Sequence, residues 1–565
     1  MEDFSLLFPV GKEHKTNQLT AESINDLSID FLLDNLTDHR NEREHMYNLM
    51  TQVTDDPEVI KWRCDVFEDF LRFPKLRSAM EDLVARLADL KDVARFQKDQ
   101  EGPSLWSLIN RLREIDEYVS CITMIKKTLE ELDVHSEGMK TLRRIVTDID
   151  RESGFPQLKA DIDETMEQAR RVKSITIGVN LDDMLRPKAA GVISLNDAPF
   201  VDAGLMKRFM NFANRQDGLH EGTDTSGMKH FHAANPITTE YKIGGYQKSA
   251  VSNDIAIETT ATGTDSISNA ITKPVTSIMK KTCDDIKSTL KRYVNISGYM
   301  LIGLMPEIIF YVRWAELIDK IIAKGMPVCK AEILPPDDRN CSFKEIYNLK
   351  LAINNVKGDD INIITNDIDF DDERRIYILT GPNRGGKTIF TQAVGLAMML
   401  AQWGIYVPAA SAKISPCDNM FTHFPADEND TVDLGRLGEE SKRLSEIFEA
   451  ATPRSFMLLN ESLATTSVAE GLFIAKDVVK AMRYLGVRCI FNTHMHELAR
   501  SLDELNNGVK GDSRVESLVT GVQHGERSFK VAVMPPQGVS YAKDIAIKYG
   551  VTFDQIKDHI KSRAD

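Results

Sequence analysis

A glycine-rich segment that follows a short apolar run is the feature that most constrains the fold of this chain. Residues 380–388 read Thr-Gly-Pro-Asn-Arg-Gly-Gly-Lys-Thr and come directly after the strand-like run Arg375–Leu379. Glycine has no Cβ, so the backbone of such a segment can wrap an anion and point its N–H groups inward. A helical pattern follows at Ile389–Leu400, and the positive end of that helix would face the same anion. The order of strand, loop and helix predicts a phosphate-binding P-loop in an α/β domain.

The residue types in this segment indicate a nucleoside triphosphate with Mg²⁺ as the ligand. Lys387 is placed to reach the β- and γ-phosphates, and the Thr388 hydroxyl is placed to ligate the Mg²⁺ that accompanies them. An ordinary loop is the alternative, but the GxxxxGK[ST] pattern between a strand and a helix is highly specific. We expect ATP to contact Gly381, Pro382, Asn383, Arg384, Gly385, Gly386, Lys387, Thr388 and Ile389.

A second apolar run ends in a polar pair that would complete such a site. The run at 455–459 leads into Asn460 and Glu461. In P-loop ATPases this pair is usually an aspartate that orders the Mg²⁺ shell and a glutamate that activates water. Asn460 departs from that pattern, because its amide oxygen can meet a Mg²⁺ water but brings no charge. We predict Asn460 as a metal-site residue and Glu461 as the general base; a helix cap or a surface charge is the alternative for Glu461.

A third strand-like run, Val487–Phe491, leads into Asn-Thr-His-Met-His-Glu-Leu at 492–498. A histidine just past this strand can sense the γ-phosphate, so we predict His494 as a catalytic residue. Two alternatives stay open: His494 and His496 could form a metal pair, although no third ligand lies nearby in the sequence, or His494 could be structural.

Composition limits the partners and the compartment. The 565 residues carry 70 Lys and Arg against 85 Asp and Glu, a net charge of −15, so any DNA contact would need a local basic patch. The seven cysteines form no CxxC pair, which is typical of a reducing cytosol and offers neither a zinc site nor a disulfide framework. The N-terminus has no signal-peptide pattern, and the apolar stretch 296–312 is interrupted by Pro306 and Glu307. We expect a soluble, cytoplasmic protein without a membrane span.

The pattern along the chain predicts three regions. Helical periodicity from about residue 19 to 139 indicates a helical core domain at 1–140. Long, charged helices then predict lever arms at 141–335, with a small β hairpin at about 174–200 at the arm tip and a polar, partly disordered insertion at about 213–270. Pro335 and Pro336 mark a linker, and the P-loop domain occupies about 340–565.

Taken in order, these motifs resemble the ATPase domain of the MutS DNA mismatch-repair family, which has an ABC-type fold. The resemblance covers residues 379–500 and is highly specific. Its matching stretches are Leu379–Thr388 around the double glycine, Gly404–Ala409 with Phe421 and Thr422, Asn460–Glu461 with Thr465–Ser467, and Thr493–Leu498. The helical portion before them matches the core and lever domains of that family by layout.

The resemblance implies a homodimer with two composite ATP sites, in which a signature segment of one subunit closes on the γ-phosphate of the other. The matching segment is Asp427–Glu440, which keeps Gly435 and Arg436 but lacks the family's usual serine; an exposed acidic loop opening a helix is its alternative interpretation. The resemblance also suggests that Ile363 or Ile364 flanks the adenine. Since the chain opens almost directly in core-like helices and ends at Asp565, we expect neither the mismatch-reading domain nor the nuclease domain found in parts of the family.

Two functional hypotheses follow. The first is an ATP-hydrolysing, ATP-controlled dimeric clamp that binds DNA by structure rather than by mismatch, in repair or recombination. Its DNA contacts would come from the basic residues of one arm, for which a solvated helix face is an equally good interpretation: Lys280, Lys281, Lys287, Lys291 and Arg292. The second is a nucleotide-gated protein-interaction module with weak or no ATPase activity and no DNA binding, which Asn460 and the altered signature favour. The ATPase subunit of a membrane transporter is disfavoured by the long helical region in front.

Overall fold

The computed structural model describes most of the chain in segments. The described residues are 4–11, 14–96, 105–151, 155–170, 173–181, 183–185, 187–196, 201–202, 223–224, 230–233, 241–242, 284, 299–382, 385–425, 435–463, 468–511, 513–523, 526–536, 547 and 549–561. They form two compact units, the first made of Met1–Glu81, Leu132–Thr141 and Pro306–Asp565 and the second of Asp82–Glu131 and Leu142–Met305. Most of the predicted insertion at 213–270 and the basic arm residues Lys280, Lys281, Lys287, Lys291 and Arg292 lie outside the described residues.

The N-terminal half is helical, as its periodicity predicts. Helix α4 (Pro57–Arg72) is representative: the Asp56 side chain accepts the backbone N–H of Glu58, Pro57 occupies the first helical position, and Val59, Phe67 and other apolar residues bury one face. The other helices of this half are α1 (Ala21–Asp26), α2 (Ile29–Leu36), α3 (Arg40–Met50), α5 (Pro74–Phe96), α6 (Leu105–Glu131), α7 (Glu137–Arg151) and α8 (Phe155–Arg170). Two short strands, β1 (Asn17–Gln18) and β2 (Gln52–Val53), pair antiparallel.

Short strands appear in the second unit where the sequence turns β-like. Strand β3 (Ser174–Leu181) pairs antiparallel with β4 (Pro187–Asn196), as expected for the two strands of a hairpin. Strands β5 (Val201–Asp202) and β6 (Thr223–Asp224) pair with each other, and β7 (His230–Ala233) and β8 (Tyr241–Lys242) add to β4. The position of the hairpin at the tip of an arm stays a prediction.

The apolar stretch around Pro306 is a core helix. Helix α9 (Tyr299–Ala323) contains Pro306 within its span and buries Leu301, Tyr311 and Trp314. Over the part of the chain that the structure describes, none of the helices combines the length and the apolar character that crossing a membrane requires.

The C-terminal half is built on a six-stranded sheet. The strands are β12 (Arg374–Thr380), β14 (Met420–His423), β15 (Phe456–Asn460), β16 (Arg488–Asn492), β17 (Arg514–Gln523) and β18 (Glu526–Val533), in the order β14-β15-β16-β12-β17-β18. All neighbours are parallel except β17 and β18. Because β12 lies at the centre of the sheet, the loop that follows it is close to the ends of β15, β16 and β17.

A second, smaller sheet and several helices complete this half. Strands β9 (Glu332–Ile333), β10 (Cys341–Ile346), β11 (Asn366–Phe370) and β13 (Ser411–Ile414) pair in the order β11-β10-β13-β9. Strand β9 thus precedes the predicted start of the ATPase domain at residue 340, and the prolines of the predicted linker open a short 3-10 helix, Pro336–Asp338. The helices are α10 (Leu349–Lys357), α11 (Lys387–Trp403), α12 (Gly435–Ala450), α13 (Val468–Leu485), α14 (His496–Arg500), α15 (Leu502–Gly508) and α16 (Phe553–Lys561).

The pattern of buried residues shows that helices cover both faces of the six-stranded sheet. Helix α11 is buried along nearly its whole length, with Phe390, Val394 and Leu400 in the core. On the other face, α13 and α14 pack on the sheet through an apolar cluster that includes Ile378, Met457 and Phe491. The central strands are buried on both faces, as expected for a parallel sheet covered by helices.

Candidate functional site

Three predicted motifs meet at one edge of the six-stranded sheet. The P-loop follows β12, Asn460 and Glu461 end and follow β15, and His494 lies two residues after β16. Strands β15, β16 and β12 are parallel neighbours, so their carboxyl ends lie side by side. Ligands of open parallel sheets bind at this kind of edge.

Glycine is required in the P-loop by both backbone conformation and packing. Gly381 has φ +148°, and a Cβ added to it would lie 1.9 Å from Thr520 Oγ1. Gly386 has φ +85° and comes directly before α11, which starts at Lys387, two residues earlier than the sequence pattern indicated. These conformations are strained for any residue with a Cβ, so the loop can take this path only with glycine at both positions. Asn383 and Arg384 lie outside the described residues.

Lys387 is a buried cation at the start of α11. Its side chain is 4% exposed, and its Nζ donates to the carbonyl oxygens of Gly381 and Pro382, both at 3.2 Å. Burial lowers the pKa of Lys387, whereas the charge of Glu461 raises it. A buried ammonium held by neutral carbonyls beside a helix N-terminus is a site that a polyanion such as a triphosphate fits.

The two residues predicted for Mg²⁺ are in direct contact. The Thr388 hydroxyl donates to Asn460 Oδ1 at 2.9 Å, and Asn492 Nδ2 also donates to this oxygen. The two donors orient the Asn460 amide with its oxygen toward Thr388. The set of a hydroxyl and an amide oxygen suits a hard cation such as Mg²⁺, although it supplies no negative charge.

Glu461 and His494 form the pair at the mouth of the site. Glu461 Oε1 is 2.6 Å from His494 Nε2, and both side chains are about one-third exposed. The hydrogen bond from His494 is the largest cause that holds the pKa of Glu461 below its usual value, and the charge of Lys387 acts in the same direction. Glu461 is therefore a carboxylate at neutral pH, the form that can accept a proton from water.

His496 does not join this pair. Its backbone N–H donates to the carbonyl oxygen of His494, and burial lowers the pKa of its ring. No group of three or more His, Cys, Asp and Glu side chains able to hold a metal ion occurs among the residues that the structure describes. The metal-pair alternative for His494 and His496 therefore gains no support from this geometry.

Three residues of the site were not anticipated from the sequence. Asn492 orients Asn460, and Thr520 packs against the P-loop glycines. Phe529 is 43% exposed, and a Cβ on Gly386 would lie 3.2 Å from its ring. The signal was present only for Asn492, which precedes the Thr-His motif directly; Thr520 and Phe529 reach the site through the pairing of β17 with β12 and β18.

The predicted adenine-flanking residues lie in the segment that leads into strand β11. Ile363 and Ile364 are half-buried in the segment before β11. The next strand residue, Asn366, is fixed to β18, because its Oδ1 accepts the N–H of Val531 at 2.8 Å and its Nδ2 donates to the carbonyl of Phe529 at 3.3 Å. Ile389 is 44% exposed at the start of α11.

The predicted signature segment is described only in part. Residues 427–434 lie outside the described residues, and Gly435 is the first residue of α12. Glu440 lies on this helix, and its carboxylate accepts the backbone N–H of Leu463 in the same chain. The segment's contact with a second subunit stays a prediction.

Comparison with known proteins gives similarity in both halves of the chain. The family model described as MutS domain V matches residues 377–542, and the model described as MutS2 N-terminal domain matches residues 55–324. A DNA mismatch repair protein MutS from Chlorobium chlorochromatii (strain CaD3) is 33% identical over 202 residues, covering 33% of this chain and 23% of the relative. One from Chlorobium limicola (strain DSM 245 / NBRC 103803 / 6330) is 38% identical over 147 residues, covering 26% and 17%.

A relative named MutS 2 shows a similar level of likeness. The DNA mismatch repair protein MutS 2 from Halobacterium salinarum (strain ATCC 700922 / JCM 11081 / NRC-1) is 29% identical over 204 residues, 34% of this chain and 24% of the relative. The chain spans less than a quarter of the length of these three curated relatives.

Proposed function

The chain belongs to the MutS family, and from that premise we propose that it binds and hydrolyses ATP and, as an ATP-controlled homodimer, clamps DNA by its structure rather than by a mismatch. The observation that carries the ATPase part is the meeting of a buried P-loop lysine, Lys387, with the Glu461–His494 pair at one sheet edge. The likeness of residues 377–542 to MutS domain V supports the same assignment.

The chemistry assigned to the site is attack of water on the γ-phosphate. Gly381–Ile389 would cradle the phosphates, with Lys387 Nζ turning from the carbonyls of the loop to the β- and γ-phosphate oxygens. Thr388 and Asn460 would hold Mg²⁺, which neutralises phosphate charge when bound. Glu461 would accept the proton of the attacking water, and His494 would hold the carboxylate in place and face the γ-phosphate.

DNA binding is the part of the proposal that rests on the family and on the basic arm residues. Lys280, Lys281, Lys287, Lys291 and Arg292 would neutralise backbone phosphates, so binding should weaken steeply as salt rises. With a net charge of −15, we expect modest affinity. The predicted β hairpin would lie at the tip of the arm that carries these residues.

A binding panel tests the clamp. Homoduplex, mismatched and four-way-junction DNA are titrated at several salt concentrations, each with and without ATP. We expect binding at low salt, a preference for the junction over both duplexes, and an affinity that changes when ATP is added. Replacing the five basic residues with alanine should reduce both the affinity and the salt slope. Failure to bind any of the three DNAs at low salt would contradict the proposal.

The second candidate function is a nucleotide-gated protein-interaction module with weak or no ATPase activity and no DNA binding. Asn460 favours it, because the position that usually carries a charged residue carries a neutral amide. The two candidates differ in measurable ways: the module binds ATP but shows no affinity for any DNA in the panel, and its hydrolysis stays weak.

A further inference from the structure

The loop that carries Glu461 has an unusual backbone. Glu461 has φ +52° and Leu463 has φ +63°, both in the left-handed region, although neither is glycine. Residues with a Cβ adopt this region only at a cost and stay there when surrounding contacts hold them. The contacts of the segment Glu461–Leu463 therefore determine where the Glu461 carboxylate lies.

The first group of contacts fixes the beginning and middle of the loop. The Glu461 N–H donates to the carbonyl of Asn492 at 2.8 Å. Ser462 Oγ lies 2.7 Å from His423 Nδ1 and donates to the carbonyl oxygen of His423 at 2.9 Å. Since the one hydroxyl proton of Ser462 goes to that carbonyl, the ring of His423 must donate from Nδ1.

His423 is a buried anchor for this contact. It is the last residue of β14 and is 1% exposed, and Ser462 is equally buried. Two hydrogen bonds between the same two residues, both away from water, leave the serine little freedom to move. The middle of the loop is thereby tied to the edge strand of the large sheet.

A second contact, made by helix α12, fixes the end of the loop. Leu463 N–H donates to Glu440 Oε2 at 2.5 Å, and Glu440 is half-buried on α12. The acceptor is a carboxylate, so this is a charge-assisted hydrogen bond, which is stronger than a neutral one. The loop is thus held by contacts from both β14 and α12, and its shape depends on where α12 lies.

We propose that Glu440, Ser462 and His423 are positioning residues for Glu461, and that they hold the left-handed loop in the shape that aims the carboxylate at the attacking water. The proposal rests on the ATPase function proposed above. None of the three side chains needs to touch ATP. Glu440 acts through the Leu463 amide, and His423 acts through Ser462.

The test compares two glutamates of α12. Glu440→Ala removes the acceptor for Leu463, Glu440→Gln keeps an oxygen that can accept the same N–H, and Glu446→Ala removes a glutamate that is 59% exposed on the same helix. We expect Glu440→Ala to lower kcat about 10- to 100-fold, since a displacement of about 1 Å in a catalytic group has effects of that size. KM and the Kd for ATP should change less than about twofold, because the P-loop is untouched. Glu440→Gln should recover most of the lost kcat, and Glu446→Ala should match the wild type.

Ser462→Ala tests the same positioning role through a different contact. It removes both hydrogen bonds to His423 with the loss of a single oxygen atom, so a fall in kcat without a change in the Kd for ATP is again expected. Hydrogen exchange of the Leu463 amide provides a readout that does not need turnover. Exchange should be faster in Glu440→Ala than in Glu446→Ala and the wild type, both with and without ATP.

The outcomes separate this inference from the function on which it rests. If wild-type protein binds ATP but does not hydrolyse it, both the proposed ATPase activity and the positioning role are contradicted. If the wild type hydrolyses ATP and Glu440→Ala does so at the same rate, only the positioning role is contradicted. The positioning role would also be contradicted if Glu440→Ala and Glu440→Gln lost kcat to the same extent. The same holds if KM of Glu440→Ala rose by the same factor by which its kcat fell.

Discussion

The phosphate-binding half of the candidate site is one continuous stretch of chain, whereas the catalytic half is assembled from the ends of two strands. Residues 381–389 follow one strand and open one helix, and the Lys387 side chain donates to carbonyl oxygens of the same stretch. Glu461 and His494 are 33 residues apart in the chain, and their carboxylate and ring meet only because β15 and β16 are neighbours.

The two halves also differ in how their backbone is held. In the P-loop the left-handed position at Gly386 is occupied by glycine, which adopts it without a Cβ penalty. In the catalytic loop the left-handed positions are occupied by Glu461 and Leu463, which need contacts from β14 and α12. We conclude that local sequence determines the phosphate-binding half and that tertiary contacts determine the catalytic half.

Removal of Lys387 should have the largest effect, because it weakens the binding of ATP itself. Lys387→Ala leaves the triphosphate without its buried cation, at a cost of about 2–5 kcal/mol, so the affinity for ATP should fall about 30- to 4,000-fold. Lys344→Ala is the matched control. Lys344 is an exposed lysine of strand β10, outside the candidate site, and it pairs with Asp369. Titration with a fluorescent ATP analogue measures both. An affinity of Lys387→Ala within about threefold of the wild type would contradict the assignment of the P-loop.

Removal of Glu461 should lower the rate of ATP hydrolysis and leave ATP binding unchanged. Glu461→Ala should keep ATP binding and reduce turnover by about 10²- to 10⁴-fold, the usual contribution of a general base. Glu373→Ala serves as the control, because Glu373 is an exposed glutamate immediately before β12, at the opposite end of that strand. Steady-state phosphate release and ATP titration measure the two quantities separately. Hydrolysis that survives unchanged in Glu461→Ala would remove this residue as the base.

The contrast explains how much of the site could be predicted. The strand, P-loop and helix at 374–403 follow from a local pattern, and the apolar runs before Asn460 and His494 predict their strands. The bond between Glu461 and His494 depends on strand order, which no local pattern contains. Thr520 and Phe529 reach the P-loop through the pairing of β17 and β18, and nothing in their own sequence surroundings indicates a ligand.

The helical half shows the same limit on a larger scale. Periodicity predicts the helical region to which α4 belongs. It gives no sign that Glu307 of α9 accepts hydrogen bonds from Ser5 and from the backbone N–H of Leu6, about 300 residues earlier. Such contacts follow from how the chain returns on itself rather than from local preference.

The smallest predicted effect is a pH dependence of stability that belongs to the catalytic half. Burial, with a further contribution from the charge of Arg443, lowers the pKa of His423 from 6.5 to about 4. The unfolded chain therefore binds more protons than the folded one between these values, and the stability from the neutral ring is present above pH 6.5 and is lost as the pH falls toward 4. For this one group the loss between about pH 7 and about pH 5 is about 2 kcal/mol.

His423→Asn isolates this contribution. The asparagine amide can donate to Ser462 as the ring Nδ1 does, but it does not titrate, so the variant should lose less stability than the wild type on acidification. The measurement is the midpoint of thermal unfolding of both proteins at about pH 7 and about pH 5. His135→Asn is the control, because His135 lies outside the sheet and is exposed. An identical pH dependence in wild type and His423→Asn would show that folding leaves the pKa of His423 unchanged, which would contradict the shift caused by burial.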